Sequence, residues 1–203
     1  MAIFKPEITK TEFTNENNKF LGVNKFAIIG FEDKSNLFDW ADLLLEVEIK
    51  QEFSDYSRKL QIKGSYEKEN DKIIGGSVLK RLYTFFEAIG CPAGINVKGE
   101  WEDENGTKID DIASHLSIYE ANPIPGEDID SYPYIAYFYK EQPRKVGAKA
   151  YTVVWPKVYV DSDINRKKLK GDIDWLKGKG YLKELSDEVV NAPAMTGNGL
   201  SNL

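Results

Sequence analysis

The sequence contains one cysteine, Cys91, and one histidine, His115, among 203 residues. A lone cysteine excludes an internal disulfide framework. One cysteine and one histidine also argue against a zinc centre, which takes three or four such ligands. Long apolar runs are missing. Residues 1–20 hold nothing of signal-peptide length, and no stretch approaches the roughly 20 apolar residues of a membrane helix. These absences lead to the expectation of a soluble, intracellular protein with no membrane contact. Hydrolase signatures are missing too. No serine sits in G-x-S-x-G, and His115 is the only imidazole able to serve as a base. Cys91 follows a helix pattern and precedes Pro92, a setting that favours burial over reactivity.

What is present is enough apolar material for a core (41% hydrophobic) and an uneven distribution of charge, with a net value of −6. From Ser57 to Arg81 there are seven Lys or Arg residues against three acids. From Gly99 to Asp130 ten acids face Lys108 alone. From Lys140 to Lys157 the bases Lys140, Arg144, Lys145, Lys149 and Lys157 face only Glu141. Two basic segments thus flank an acidic one. Ordinary solvated surface would produce the same pattern.

Period-two alternation over Trp40–Lys50 puts Ala41, Leu43, Leu45, Val47 and Ile49 on one face. Asp42, Glu46, Glu48 and Lys50 fall on the other. Ser57–Tyr66 alternates likewise, with Leu60 and Ile62 inward and Lys59, Gln61 and Lys63 outward. Residues 51–56 join the two as a hairpin. Lys25–Phe31, Tyr132–Lys140 and Ala150–Val160 supply further strands. Val78, Leu82, Phe85, Phe86 and Ile89 follow helical spacing over Ser77–Ile89, with Ser77 as N-cap and Gly90 as stop. A second helix is predicted over Ile164–Leu182, capped by Asp163. Cys91–Ser131 reads as an irregular acidic excursion with a helical turn near Ile109–Leu116.

The class predicted is mainly β with helices (α+β). The order of elements suits an OB-fold-like five-stranded barrel, with a helix between strands 3 and 4 and a C-terminal helix. A mixed α+β sandwich fits the same order. Residues 1–20 read as an N-terminal arm, 21–185 as one domain with its excursion at about 91–131, and 186–203 as a flexible tail.

Binding of single-stranded nucleic acid needs cations along the backbone and rings for the bases. The late strands offer both. Lys59, Lys63, Lys140, Arg144, Lys145, Lys149 and Lys157 are the candidate phosphate contacts. Tyr134, Tyr137, Tyr151 and Trp155 are the candidate stacking rings. The competing account is structural: aromatic residues form strands well, and Glu46 and Glu48 can pair across the sheet with Lys59 and Lys63. Other chemistry has weaker signals. Glu100–Asp111 could hold Mg²⁺ or Ca²⁺ for a nuclease but lacks EF-hand spacing. Gly75-Gly76-Ser77 opens a helix without the lysine of a phosphate loop.

The segments FDWADLLLEVEI (Phe38–Ile49), KLQIKGSYE (Lys59–Glu67), GGSVLKRLYTFFEAIG (Gly75–Gly90), GEWEDENG (Gly99–Gly106), PYIAYFYKE (Pro133–Glu141) and WLKGKGYLKE (Trp175–Glu184) resemble the OB-fold group of bacteriophage single-stranded DNA-binding proteins. The resemblance covers most of residues 38–184. It implies a viral protein that works in DNA replication and recombination in the cytoplasm of the host bacterium. It further implies no catalysis, no cofactor and no metal, with replication or recombination proteins as partners. A homodimer is compatible with it. The terminus departs from the group's strongly acidic tail, since Asp187 and Glu188 are its only acids. The Gly99–Asp130 segment could recruit partners instead, or compete for the basic groove. A protein-interaction or virion structural module on the same fold is the alternative, and a metal-dependent nuclease a more distant one.

Overall fold

The computed structural model describes residues 20–121, 131–141, 150–182 and 184–185. The arm up to residue 19, residues 122–130 of the acidic excursion, the 142–149 loop and the 186–203 tail lie outside the described residues. Strands β1 (Gly22–Asp33), β2 (Leu43–Gln51) and β3 (Ser57–Gly64) form an antiparallel meander. The alternation in β2 and β3 sends Leu43, Leu45, Val47, Ile49, Leu60 and Ile62 fully into the core. Ile29 is an extra residue between the pairs Ile28–Ile49 and Gly30–Glu48, and this bulge adds curl to β1.

A short hairpin follows, β4 (Glu67–Glu69) and β5 (Lys72–Gly75). Asn70 and Asp71 turn it with φ of 49° and 60°, the hand that matches strand twist. Helix α1 (Ser77–Ile89) then buries Val78, Leu82, Phe85, Phe86 and Ile89, the five residues singled out by spacing. Its N-cap is Gly76 and not Ser77, and no side chain caps it. Gly76 has φ of 136°, and a Cβ there would stand 3.2 Å from the Glu67 backbone nitrogen. The chain crosses itself at that point, so only glycine fits. Gly90 ends the helix in the left-handed region, its N–H directed to the Phe86 and Glu87 carbonyls.

Up to residue 121 the excursion is more ordered than expected. It holds a two-stranded hairpin, β6 (Gly94–Ile95) with β7 (Trp101–Glu102), and α2 (Ile112–Leu116). Ile112 and Leu116 join the main core. Strand β8 (Tyr134–Glu141) then returns antiparallel along the open edge of β1, pairing Phe26 with Tyr134 and Gly22 with Phe138. Strands β9 (Tyr151–Val154) and β10 (Tyr159–Val160) both pair with the far edge of β8. The single late strand expected over Ala150–Val160 is therefore broken, and Pro156, which cannot donate to a ladder, sits in the break.

The result is a mixed α+β fold with one mainly antiparallel six-stranded sheet, β3-β2-β1-β8 followed by β9 and β10, and three helices among the described residues. The expected five-stranded barrel is an open sheet: among the described residues no ladder joins β3 to β9. Helix α3 (Asp163–Gly178) closes the fold, capped by Ser162, whose hydroxyl accepts from the Asn165 N–H, and not by Asp163. Leu169 and Ile173 pack with Ile135, Tyr137, Tyr139 and Tyr159 in a second core. Strand β8 is thus buried on both faces. Ala136 and Phe138 face the main core, while Ile135, Tyr137 and Tyr139 face α3.

Candidate nucleic-acid interface

The unpaired edges of β3 and β9 border a cleft of about 420 Å³. One wall carries Arg58, Lys59, Gln61 and Lys63. The other carries Glu141, Tyr151 and Val153. Three cations thus oppose one carboxylate, and the Tyr151 side chain is half exposed. The 142–149 segment joins Glu141 to this wall. It carries Arg144, Lys145 and Lys149, which lie outside the described residues.

Lys63 makes no ion pair among the described residues. Its ammonium donates to Gln61 Oε1 at 2.7 Å and lies 5.8 Å from the centre of the Trp40 ring. Trp40 is 57% exposed and stands beside Phe38, with ring centres 5.7 Å apart. A braced loop holds both rings. Lys34 N–H donates to the Leu44 carbonyl at 2.8 Å, the Leu44 N–H donates to the Ser35 hydroxyl, and Asp42 accepts from the Tyr66 N–H and the Lys68 ammonium. Phe38 and Trp40 were missed as functional candidates in the sequence, where Trp40 reads as the start of β2. The signal was two large rings flanking Asp39 beside the polar run Asp33–Asn36.

Glu46 controls the charge of the neighbouring wall. Its side chain is 9% exposed, with Lys34 Nζ at 2.7 Å and Lys59 Nζ at 2.8 Å, and Gln61 Nε2 also donates to it. Burial pushes its pKa up, but the three donors outweigh burial and hold the carboxyl at about 2. Lys34 is shifted upward by its bonds to Glu32 and Glu46. The cross-strand pairing expected of Glu46 with Lys59 is therefore present, diagonal to the register that sets Lys59 opposite Glu48. Glu48 accepts from the Ser57 hydroxyl instead. Of the two acids on β2, Glu46 is held by Lys34 and Lys59, while Glu48 reaches Ser57 on the rim of the cleft.

The remaining candidates divide by location. Tyr134 packs on Phe26, ring centres 5.8 Å apart, at the margin of the main core. Tyr137 is buried: it stacks on Tyr139, lies under the Lys177 ammonium and donates its hydroxyl to Glu184 at 2.7 Å. Tyr137 offers no free stacking face, whereas Tyr134 is half-buried. Lys140 is half-buried, and its carbonyl accepts from the Leu185 N–H. Trp155 is half-buried, packed at the margin of the second core. Lys157 is bonded to Asp172 at 2.6 Å and lies over the Trp155 and Tyr159 rings. The structure thus brings Lys59, Lys63 and Tyr151 together, sets Trp155 and Lys157 nearby, commits Tyr137 to packing and leaves Tyr134 half-buried at the core margin. Tyr137→Phe is expected to lower stability by about 1 kcal/mol through the lost Glu184 bond. Oligonucleotide affinity should stay within about twofold. Urea denaturation and anisotropy check this pair of outcomes, and weaker binding at unchanged stability would return Tyr137 to the interface.

Among the described residues of the acidic excursion, three carboxylates are engaged in local turns and caps. Asp103 accepts from the N–H groups of Asn105 and Thr107, Glu100 accepts from the Asn96 amide, and Asp111 caps α2 through Ser114. The Thr107 N–H holds the Asp103 carboxyl below its ordinary pKa, and the Ser114 hydroxyl does the same for Asp111. Among the described residues no three Asp, Glu, His or Cys side chains converge to hold a metal ion.

Set against protein-family models, curated proteins and solved structures, the chain matches none of them. What defines its class is the fold and the cleft: a mixed α+β protein whose open sheet borders a basic, aromatic-edged channel. No helix among the described residues is long and apolar enough to cross a membrane.

Proposed function

We propose that this chain is a non-catalytic, sequence-independent binder of single-stranded DNA that takes the strand into the cleft between β3 and β9. The observation that carries the reading is Lys63, unpaired by any described carboxylate, beneath the exposed Trp40 and in line with Lys59 and Arg58, with Tyr151 across the cleft. Cations spaced along a strand edge suit a phosphate backbone, and exposed rings suit bases of any identity. Path and sheet order support an OB-like reading: a three-strand meander, then β8 returning beside β1 and β9 turning toward β3. In the phage setting that the sequence resembles, the protein covers exposed strands during replication and recombination in the host cytoplasm. It needs no cofactor there and works beside replication or recombination proteins.

The test is a salt titration with a labelled oligo-dT of about 30 nucleotides, read by anisotropy and by tryptophan quenching. Micromolar or tighter binding at low salt is expected. Three phosphate contacts give a slope of about −2 in log K against log salt, since single strands contribute about −0.7 per contact. Lys63→Glu should weaken binding by about tenfold and flatten that slope. Absence of binding at low salt would overturn the reading and leave the cleft to a protein partner.

A further inference from the structure

A second hollow, about 220 Å³ in volume, opens where α1 meets the broken strand. Lys80, Arg81 and Thr84 of α1 form one side; Trp155, Pro156 and Lys157 form the other. It is the cleft's neighbour, and Arg81 links the two. The Arg81 guanidinium donates through Nη2 to the carbonyl of Lys63, a cleft residue, at 3.0 Å, and through Nε to the Ser77 carbonyl at 3.3 Å. Gly64 permits this closeness. A Cβ there would stand 3.3 Å from Arg81 Nη2, and the residue's φ is 151°. The guanidinium is therefore pinned at the end of β3 with N–H groups to spare, since only two donors are used among the described residues. Lys80 is exposed and makes no ion pair among the described residues. The Trp155 indole N–H likewise has no partner among them. Pinned and free cations beside an indole repeat, at a second place, the chemistry of the cleft.

We propose that the bound strand continues past Arg81 into this hollow, where one base stacks on Trp155 and its phosphates lie on Lys80 and Arg81. Helix α1 is then a DNA-contacting element as well as a core element. This rests on the cleft reading and extends its footprint to Lys80 and Arg81 of a helix, which the strand pattern did not single out.

The test uses the full chain and an oligo-dT carrying 5-iododeoxyuridine at successive positions. Photocrosslinks are mapped by mass spectrometry beside affinities of wild type, Lys80→Glu and Lys63→Glu. Lys80 is exposed and makes no ion pair among the described residues, so its reversal leaves the fold intact. Expected are a crosslink at Trp155, an affinity loss of about tenfold in Lys80→Glu, and a salt slope flatter by about 0.7. DNA binding that Lys63→Glu weakens and Lys80→Glu leaves unchanged would overturn the second site while sparing the cleft. A loss in Lys80→Glu without a Trp155 crosslink would also overturn it, since that pattern reports charge alone. No binding by wild type would remove both sites together.

Discussion

Glu46→Gln is expected to loosen the fold and tighten the grip on DNA at once. The carboxylate lies almost wholly out of water, bonded to Lys34, Lys59 and Gln61. Removing the charge from such a set leaves two ammonium groups facing a neutral amide, so a stability loss of about 2–3 kcal/mol follows. The same change frees the Lys59 ammonium toward the cleft. A gain of about 1 kcal/mol for a strand phosphate, at the effective dielectric of a protein surface, is about a fivefold tighter Kd. A variant that lost stability without gaining affinity would show that Lys59 does not reach DNA. The acid dependence has a definite sign. Glu46 ionises at about 2 in the folded chain against an ordinary 4.5. Its contribution is therefore complete above pH 4.5 and disappears as pH falls toward 2. The gap between wild type and variant in urea melts should be full at neutral pH and shrink through that window. Asp42 and Asp161, also held below their ordinary values by Lys68 and Arg166, weaken both proteins alike there. The difference between the two melts isolates Glu46.

Phe138→Ala should lower stability by about 4 kcal/mol, the cost of emptying an aromatic site in a packed core. Phe138 is fully buried and meets Phe26 edge-on at 6.3 Å, inside the strand that both cores share. For a chain of this length the loss corresponds to a fall in Tm of about 8–16 °C. Circular dichroism melts would show it, and a loss under about 1 kcal/mol would mean that β8 does not hold the sheet together. Tyr151→Ala, on the exposed cleft wall, should leave the melt nearly unchanged while weakening oligo-dT binding by about 1–3 kcal/mol.

These contrasts explain which elements were legible in the sequence. Strands β2 and β3 have one buried face and one polar face, so Leu43 to Ile49 and Leu60 to Ile62 announce themselves by alternation. Helix α1 does so through five apolar residues at helical spacing and Gly90. Strand β8 gives no such signal. Both of its faces are covered, so Ile135 to Tyr139 is apolar or aromatic at every position, and alternation cannot separate core rings from exposed ones. Which of its tyrosines are buried depends on α3, some thirty residues later in the chain. The break at Pro156 was readable from the proline alone. The burial of Glu46 was not, because it depends on Lys34 folding back from a turn twelve residues away. The cleft is equally non-local, since it exists only where β3 and β9 approach each other.

The ladder between β1 and β8 has a consequence for how the protein is made. It joins residues 108 to 116 positions apart, from Phe26 with Tyr134 to Gly22 with Phe138. The β1–β2–β3 meander can close as soon as it leaves the ribosome, but its β1 edge waits for β8. Synthesis from Gly64 to Tyr134, at about 5–20 residues per second, leaves that edge bare for roughly 4–14 s. A bare edge beside a finished meander is a template for pairing with a neighbouring nascent chain. Long-range closure of this kind is also slow in isolated refolding. Expression yield should therefore depend on translation speed between Gly64 and Tyr134 more than on the stability of the finished fold.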